Sequence, residues 1–79
     1  MKFYHKEGCP LCGVALKKLE QKNLKYEDIM LYPDDPNDKN FIALCEAGIK
    51  QLPALQLDDG SFLTGANVSK WINQQEAKN

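Results

Sequence analysis

Cys9 and Cys12 stand two residues apart in the stretch HKEGCPLCGVALKK, between a short aromatic run and a helical apolar periodicity. That junction restricts the folds open to the chain. KFYH, residues 2–5, reads as a strand. Residues 10–22 read as a helix. Leu11, Val14, Ala15, Leu16 and Leu19 form its apolar face, and Lys17, Lys18, Glu20, Gln21 and Lys22 its solvated polar one. Pro10 suits the first helical turn, where its missing N–H costs nothing. Asn23 is a C-terminal stop. Cys9 therefore falls in a strand-to-helix loop and Cys12 in the first turn of the helix.

The rest of the chain continues this alternation. KYEDIML, residues 25–31, reads as a second strand ending at an acidic loop. Residues 36–48 read as a helix capped by Asp34 or Asp35, with Pro36 at its start and Gly48 at its end. Phe41, Ile42, Leu44 and Cys45 make its apolar stripe. ALQL and SFL are the arms of a hairpin, with Asp59-Gly60 as a tight turn. Residues 66–77 give a last helix, with Asn67 or Ser69 near its start and Val68, Trp71 and Ile72 facing inward. The order is β-α-β-α-β-β-α. Its first unit demands a parallel pair with a right-handed crossover, and the hairpin adds an antiparallel arm. The expected fold class is α/β, with a mixed four-stranded sheet flanked by three helices in one domain over residues 1–79.

A chain of 79 residues buries only a small core. At 43% hydrophobic and 27% charged it has the composition of a globular domain, not a disordered one. All 10 basic residues are lysine, against 11 acidic residues, for a net charge of −1. Neither nucleic acid nor an anionic membrane is attracted by that balance. The absence of arginine also removes the usual bidentate reader of phosphate and guanine. No apolar run approaches the roughly 18 residues that a membrane span needs. The start, MKFYHKEGC, lacks an apolar signal region, so a cytoplasmic location is expected. Three cysteines are too few for a secreted disulfide framework.

In that context the cysteine pair reads as redox or metal chemistry. A helix start offers unpaired N–H groups and the positive end of the macrodipole, and both favour a thiolate. Lys6 adds a cation three residues before Cys9. The expected geometry is one exposed attacking thiol, Cys9, and one more buried resolving thiol, Cys12. The pair would open a target disulfide through a mixed disulfide. Zinc needs four ligands, and the remaining candidates are Cys45 and His5, which would require Cys45 to leave its apolar face. No metal is therefore expected. Cys45 is read as a buried, inert thiol, with regulatory oxidation as the alternative. His5 is read as a strand-end histidine in contact with water.

Three segments together resemble the glutaredoxins, small thioredoxin-fold proteins: KEGCPLC near the start, QLP before the third strand, and LTGAN after the fourth. The resemblance runs from Phe3 to about Gln75, and the element order matches. It implies that Cys9 is the nucleophile and Cys12 the resolving cysteine. Lys6 would hold the thiolate and the glycyl carboxylate of glutathione. Pro53 would be the family's cis-proline, turning the Leu52 backbone toward a bound peptide. Thr64, Gly65, Ala66 and Asn67 match a Gly-Gly-x-Asp segment whose amides receive the γ-glutamyl carboxylate.

Leu11 replaces the family's usual Tyr and Gln51 its common Thr. Thr64 and Asn67 replace a glycine and an acid. The activity implied is a monomeric, glutathione-dependent thiol–disulfide oxidoreductase acting on protein disulfides or protein–glutathione mixed disulfides. Glutathione would be a co-substrate, with no bound cofactor. One alternative is the glutathione-independent branch reduced by thioredoxin reductase, often serving ribonucleotide reductase, although LTGANVSKW lacks that branch's Phe-Arg-Pro. Another is an iron–sulfur cluster module, which Pro10 disfavours by stiffening the loop.

Overall fold

β1 (Lys2–His5) is hydrogen-bonded along both edges and buried on both faces. In the computed structural model, which describes residues 1–77, the strand order is β2-β1-β3-β4. β2 (Glu27–Met30) runs parallel to β1, with Lys2 opposite Glu27 and His5 opposite Met30. β3 (Ala54–Gln56) runs antiparallel on the other edge, with Phe3 opposite Leu55. β4 (Phe62–Thr64) completes the hairpin. The helices α1 (Pro10–Gln21), α2 (Lys39–Glu46) and α3 (Ala66–Asn73) complete the expected β-α-β-α-β-β-α order and the mixed α/β sheet.

Alternation along β1 divides the small core in two. Phe3 and Leu55 pack with Ala15, Leu19, Val68 and Ile72 beneath α1 and α3. Tyr4 and Ala54 pack with Leu31 and Leu44 on the α2 side. Phe3 is fully buried, and a side chain of that size removed from water stabilises the fold by about 2 kcal/mol. Lys18 Nζ donates to Asn73 Oδ1 at 2.9 Å and Lys22 Nζ to the Gln75 carbonyl at 2.7 Å. These two lysines therefore do more than form a solvated face: they tie α1 to the end of α3.

Both helix stops hold for a defined reason. Asn23, at φ +55°, and Gly48, at φ +79°, adopt the left-handed conformation just past α1 and α2. Leu24 N then reaches Leu19 O and Ile49 N reaches Leu44 O, which satisfies carbonyls that the helix end would leave unpaired.

The helix faces and starts depart from expectation. In α1 the buried residues are Cys12, Ala15 and Leu19, at i, i+3 and i+7, while Leu11 and Val14 are 46% and 48% exposed. A stripe centred on Cys12 turns those two outward. Neither Asp34 nor Asp35 caps α2. The cap is Asp38, whose Oδ1 accepts from Asn40 N and Phe41 N and whose Oδ2 accepts from Tyr32 N at 2.6 Å. Asp35 bonds Asn37 N instead, so Pro36 lies in a turn ahead of the helix. The hairpin turn is also longer than two residues. Leu57 N bonds Ser61 O, leaving Asp58, Asp59 and Gly60 between them, with Gly60 at φ +91°, the geometry of a three-residue loop. α3 is capped by Gly65, without a side-chain bond, and ends at Asn73 rather than residue 77. Val68 and Ile72 are buried as expected, and Trp71 is half-buried at the core's edge.

Asp38 supplies a test of how α2 is held. Its backbone donors, Tyr32 foremost, keep the carboxyl below its ordinary 3.8. The contribution is thus present above that pH and is lost as the solution becomes more acidic. Asp38→Ala is expected to lower Tm and fray α2 in hydrogen exchange, whereas Asp38→Asn retains most of the protection. Equal protection in Asp38→Ala and the parent chain would mean that packing of Leu44 alone holds the helix.

Candidate functional site

Cys9 is the N-cap of α1. Its backbone is extended, at φ −99° and ψ 106°, and its sulfur accepts from Cys12 N at 3.3 Å. Gly8, at φ +73°, makes the turn that delivers the chain from β1 into this cap. Pro10 starts the helix. The sulfur thus occupies the place where an N-cap oxygen is usual, facing amide donors at the positive end of the helix. Cys9 is half-buried and Cys12 is buried. The Cys12 thiol is pushed up from 9.0 to about 12. Burial is the largest cause, and the hydrogen bond with Cys9 and the charge of Cys9 add to it. The Lys6 backbone amide and side chain pull the other way and lose. One thiol is accessible at the helix start and the other is held protonated behind it.

Cys9 opens on a groove of about 810 Å³. Of the residues singled out in the sequence, Lys6, Cys9, Leu11, Gln51, Leu52, Gly65 and Ala66 line it. Cys12, Pro53, Thr64 and Asn67 do not: Cys12 and Pro53 are buried, Thr64 is paired in β4 opposite Ala54, and Asn67 is exposed on α3. The Leu52–Pro53 bond is cis. Pro53 O accepts from Gly65 N at 2.9 Å, which joins the approach to β3 to the start of α3. Among the described residues, nothing hydrogen-bonds the Leu52 backbone at the groove's edge. The amides of Ala66 and Asn67, in the first turn of α3, have no partner within the helix. Gly65 has φ +59° and ψ −136°, a conformation costly for any residue with a side chain. A Cβ there would also lie 3.2 Å from Gln51 Oε1.

Two expectations from the sequence are corrected here. Cys45 is not buried. It is exposed and lines the same groove as Cys9, because α2 buries only Leu44 and turns the rest of its apolar stripe toward the groove or solvent. His5 does not meet water at a strand end. It is 9% exposed, stacks on Phe3 with ring centroids 5.2 Å apart, and pairs through Nε2 with Asp28. Among the described residues, no three His, Cys, Asp or Glu side chains gather in a way that could hold a metal. No helix among them is long and apolar enough to cross a membrane.

The sequence reading missed Phe41, Cys45, Ile49 and Lys50 as groove residues. Phe41 and Cys45 are four apart and share a face of α2. Ile49 and Lys50 run directly into Gln51-Leu52-Pro53. Their adjacency to that segment was the available signal. Comparison with family models matches none, and comparison with curated proteins finds no match.

Gly65→Ala is expected to destabilise the fold by about 1–3 kcal/mol. The loss should persist in a Gln51→Ala background, since the backbone rather than the contact causes it. Full rescue by Gln51→Ala would show that the contact dominates. Cys12 carries a pH dependence of defined sign. The unfolded chain ionises this thiol near 9.0 and the folded chain only near 12. Its contribution is therefore complete below pH 9 and is lost as pH rises toward 12. Urea melts of the reduced protein should show a steeper loss of stability over that window than Cys12→Ser. Parallel curves would mean that Cys12 ionises alike in both states.

Proposed function

We propose that the protein is a thiol–disulfide oxidoreductase of the glutaredoxin type, with Cys9 as nucleophile and Cys12 as resolving thiol. One observation carries this reading: an accessible sulfur caps α1 at the edge of an open groove, and a buried, protonated thiol lies one helical turn behind it. The Cys9 thiolate attacks one sulfur of a substrate disulfide. The Cys9–substrate bond forms, the substrate S–S bond breaks, and the first thiolate leaves and takes a proton. Cys9 is then neutral, so its charge no longer opposes ionisation of Cys12. Cys12 gives up its proton and attacks the Cys9 sulfur. The second half of the substrate departs as a thiol, and Cys9 and Cys12 are left as a disulfide.

The groove supports an extended, anionic substrate. The free backbone edge of Leu52 suits strand-like pairing with a peptide. Lys6 and Lys50 are the charged residues of its lining, and the first-turn amides of α3 lie at one end. Glutathione fits that pattern as co-substrate, with disulfide-bearing proteins as partners and the cytoplasm as the compartment where such a dithiol is kept reduced. Asn67 stands where the family has an acid, carries no charge for the glutathione amino group, and lies outside the groove lining. Without that charge, reduction by thioredoxin reductase is the competing reading.

A coupled NADPH assay on a small disulfide separates the two, run with glutathione plus glutathione reductase and, in parallel, with thioredoxin reductase. Turnover with glutathione alone is expected. Turnover with thioredoxin reductase alone would assign the chain to the glutathione-independent reading. Cys9→Ser is expected to abolish activity. Cys12→Ser should keep reduction of glutathione mixed disulfides and lose dithiol reduction. Equal loss of both in Cys12→Ser would remove Cys12 from the resolving role.

A further inference from the structure

The groove contains a second thiol that the reaction above does not use. Cys45 is exposed on the α2 wall, one turn after Phe41, and faces the same space as Cys9. Cys12 is buried behind Cys9. The two accessible thiols of the molecule therefore share one groove, and the charged residues lining it, Lys6 and Lys50, are both cations.

We propose that Cys45 is a thiolation site through which a carboxylate-bearing, low-molecular-weight disulfide closes the groove. The proposal rests on the reading of Cys9 as the reacting thiol. The Cys45 thiol gives up its proton and attacks one sulfur of the small disulfide. The Cys45–sulfur bond forms, the small disulfide's own S–S bond breaks, and one half leaves as thiolate and takes up the proton. No other oxidant enters, because the small disulfide is itself the oxidant. A groove of about 810 Å³ lies within the range of small-molecule sites, roughly 300–1,000 Å³. A tripeptide-sized half attached to one wall fills space that a substrate needs to reach Cys9. Lys6 and Lys50 favour halves carrying carboxylates over neutral or cationic ones. Excess small thiol reverses the exchange and reopens the groove. The protein is thus shut when disulfide accumulates over thiol and restored when thiol returns.

Two measurements test this. The Cys9→Ser/Cys12→Ser variant is incubated with oxidised glutathione or, separately, with cystamine, whose halves are cationic. One glutathione adduct at Cys45 is expected by peptide mass, forming about tenfold faster than the cystamine adduct at low salt. The gap should shrink in high salt and in the Lys50→Gln background. In the second measurement, Cys9 and Cys12 are joined as a disulfide while Cys45 is capped with a maleimide-linked tripeptide. The protein is then reduced with dithiothreitol, and Cys9 is labelled with iodoacetamide. Cys9 labelling and disulfide turnover should both be largely lost, and a small carboxamidomethyl cap on Cys45 should leave both in place. No adduct at Cys45, equal rates with the two disulfides, or full-rate labelling of Cys9 beneath the tripeptide cap would each overturn the proposal. If the uncapped protein labels at Cys9 but never turns over a disulfide, the oxidoreductase reading fails. The loss of labelling under the cap then still decides the closure of the groove.

Discussion

Burial of β1 on both faces is the constraint from which the rest follows. Phe3 points beneath α1 and α3, Tyr4 points toward α2, and each face has only a handful of partners. Both faces of β1 need cover, so the helices divide between them, α1 and α3 over one cluster and α2 over the other. The connection from β1 goes to one face through α1, and that from β2 goes to the other through α2. Adjacent parallel strands whose connections diverge in this way leave a crevice at their carboxyl ends. The groove forms there, with Leu11 of α1 on one side and Phe41 and Cys45 of α2 on the other. Its position is a consequence of topology before any side chain is considered.

Chemistry enters where α1 begins in that crevice. A helix start leaves amides without partners, and here a sulfur accepts from one of them. The next thiol, three residues on, falls on the inward stripe with Ala15 and Leu19. Burial raises it to about 12 while Cys9 stays at the surface. The difference in surroundings between two identical functional groups thus comes from helical periodicity: one lies just before the first turn and the other faces the core. The opposite wall of the groove supplies the backbone of Leu52 and the start of α3. Gly65 can make the connection between them because it carries no side chain.

Most of the fold was legible in the sequence. The element order, the two left-handed helix stops at Asn23 and Gly48, and the antiparallel hairpin follow from local periodicity and turn chemistry. The errors fall where several residues compete for one local role. Asp34, Asp35 and Asp38 are each able to cap α2, and Asp38 does so because it also takes the Tyr32 amide from across the loop. Leu11 and Val14 are both apolar and neighbour the stripe, yet the face that α1 turns to the core is Cys12, Ala15 and Leu19, with Leu16 packed at its edge, and those two are left outward. His5 stood at a strand end in the sequence, but its strand is central, and Asp28 on the neighbouring strand gives it a partner.

The sequence by itself determined the chain of elements and the Cys9–Cys12 pair at a helix start, since both depend on residues within a few positions of one another. Tertiary structure alone decided what faces that pair. Lys50, Phe41 and Cys45 lie more than 25 residues beyond the cysteines and reach the groove only because α2 packs on the opposite side of the sheet. An apolar stripe in sequence records that a face is apolar; it does not record whether the neighbouring surface is a core or a groove. In α2 the core covers Leu44 fully and Phe41 in part, while Ile42 is left to solvent and Cys45 faces the groove.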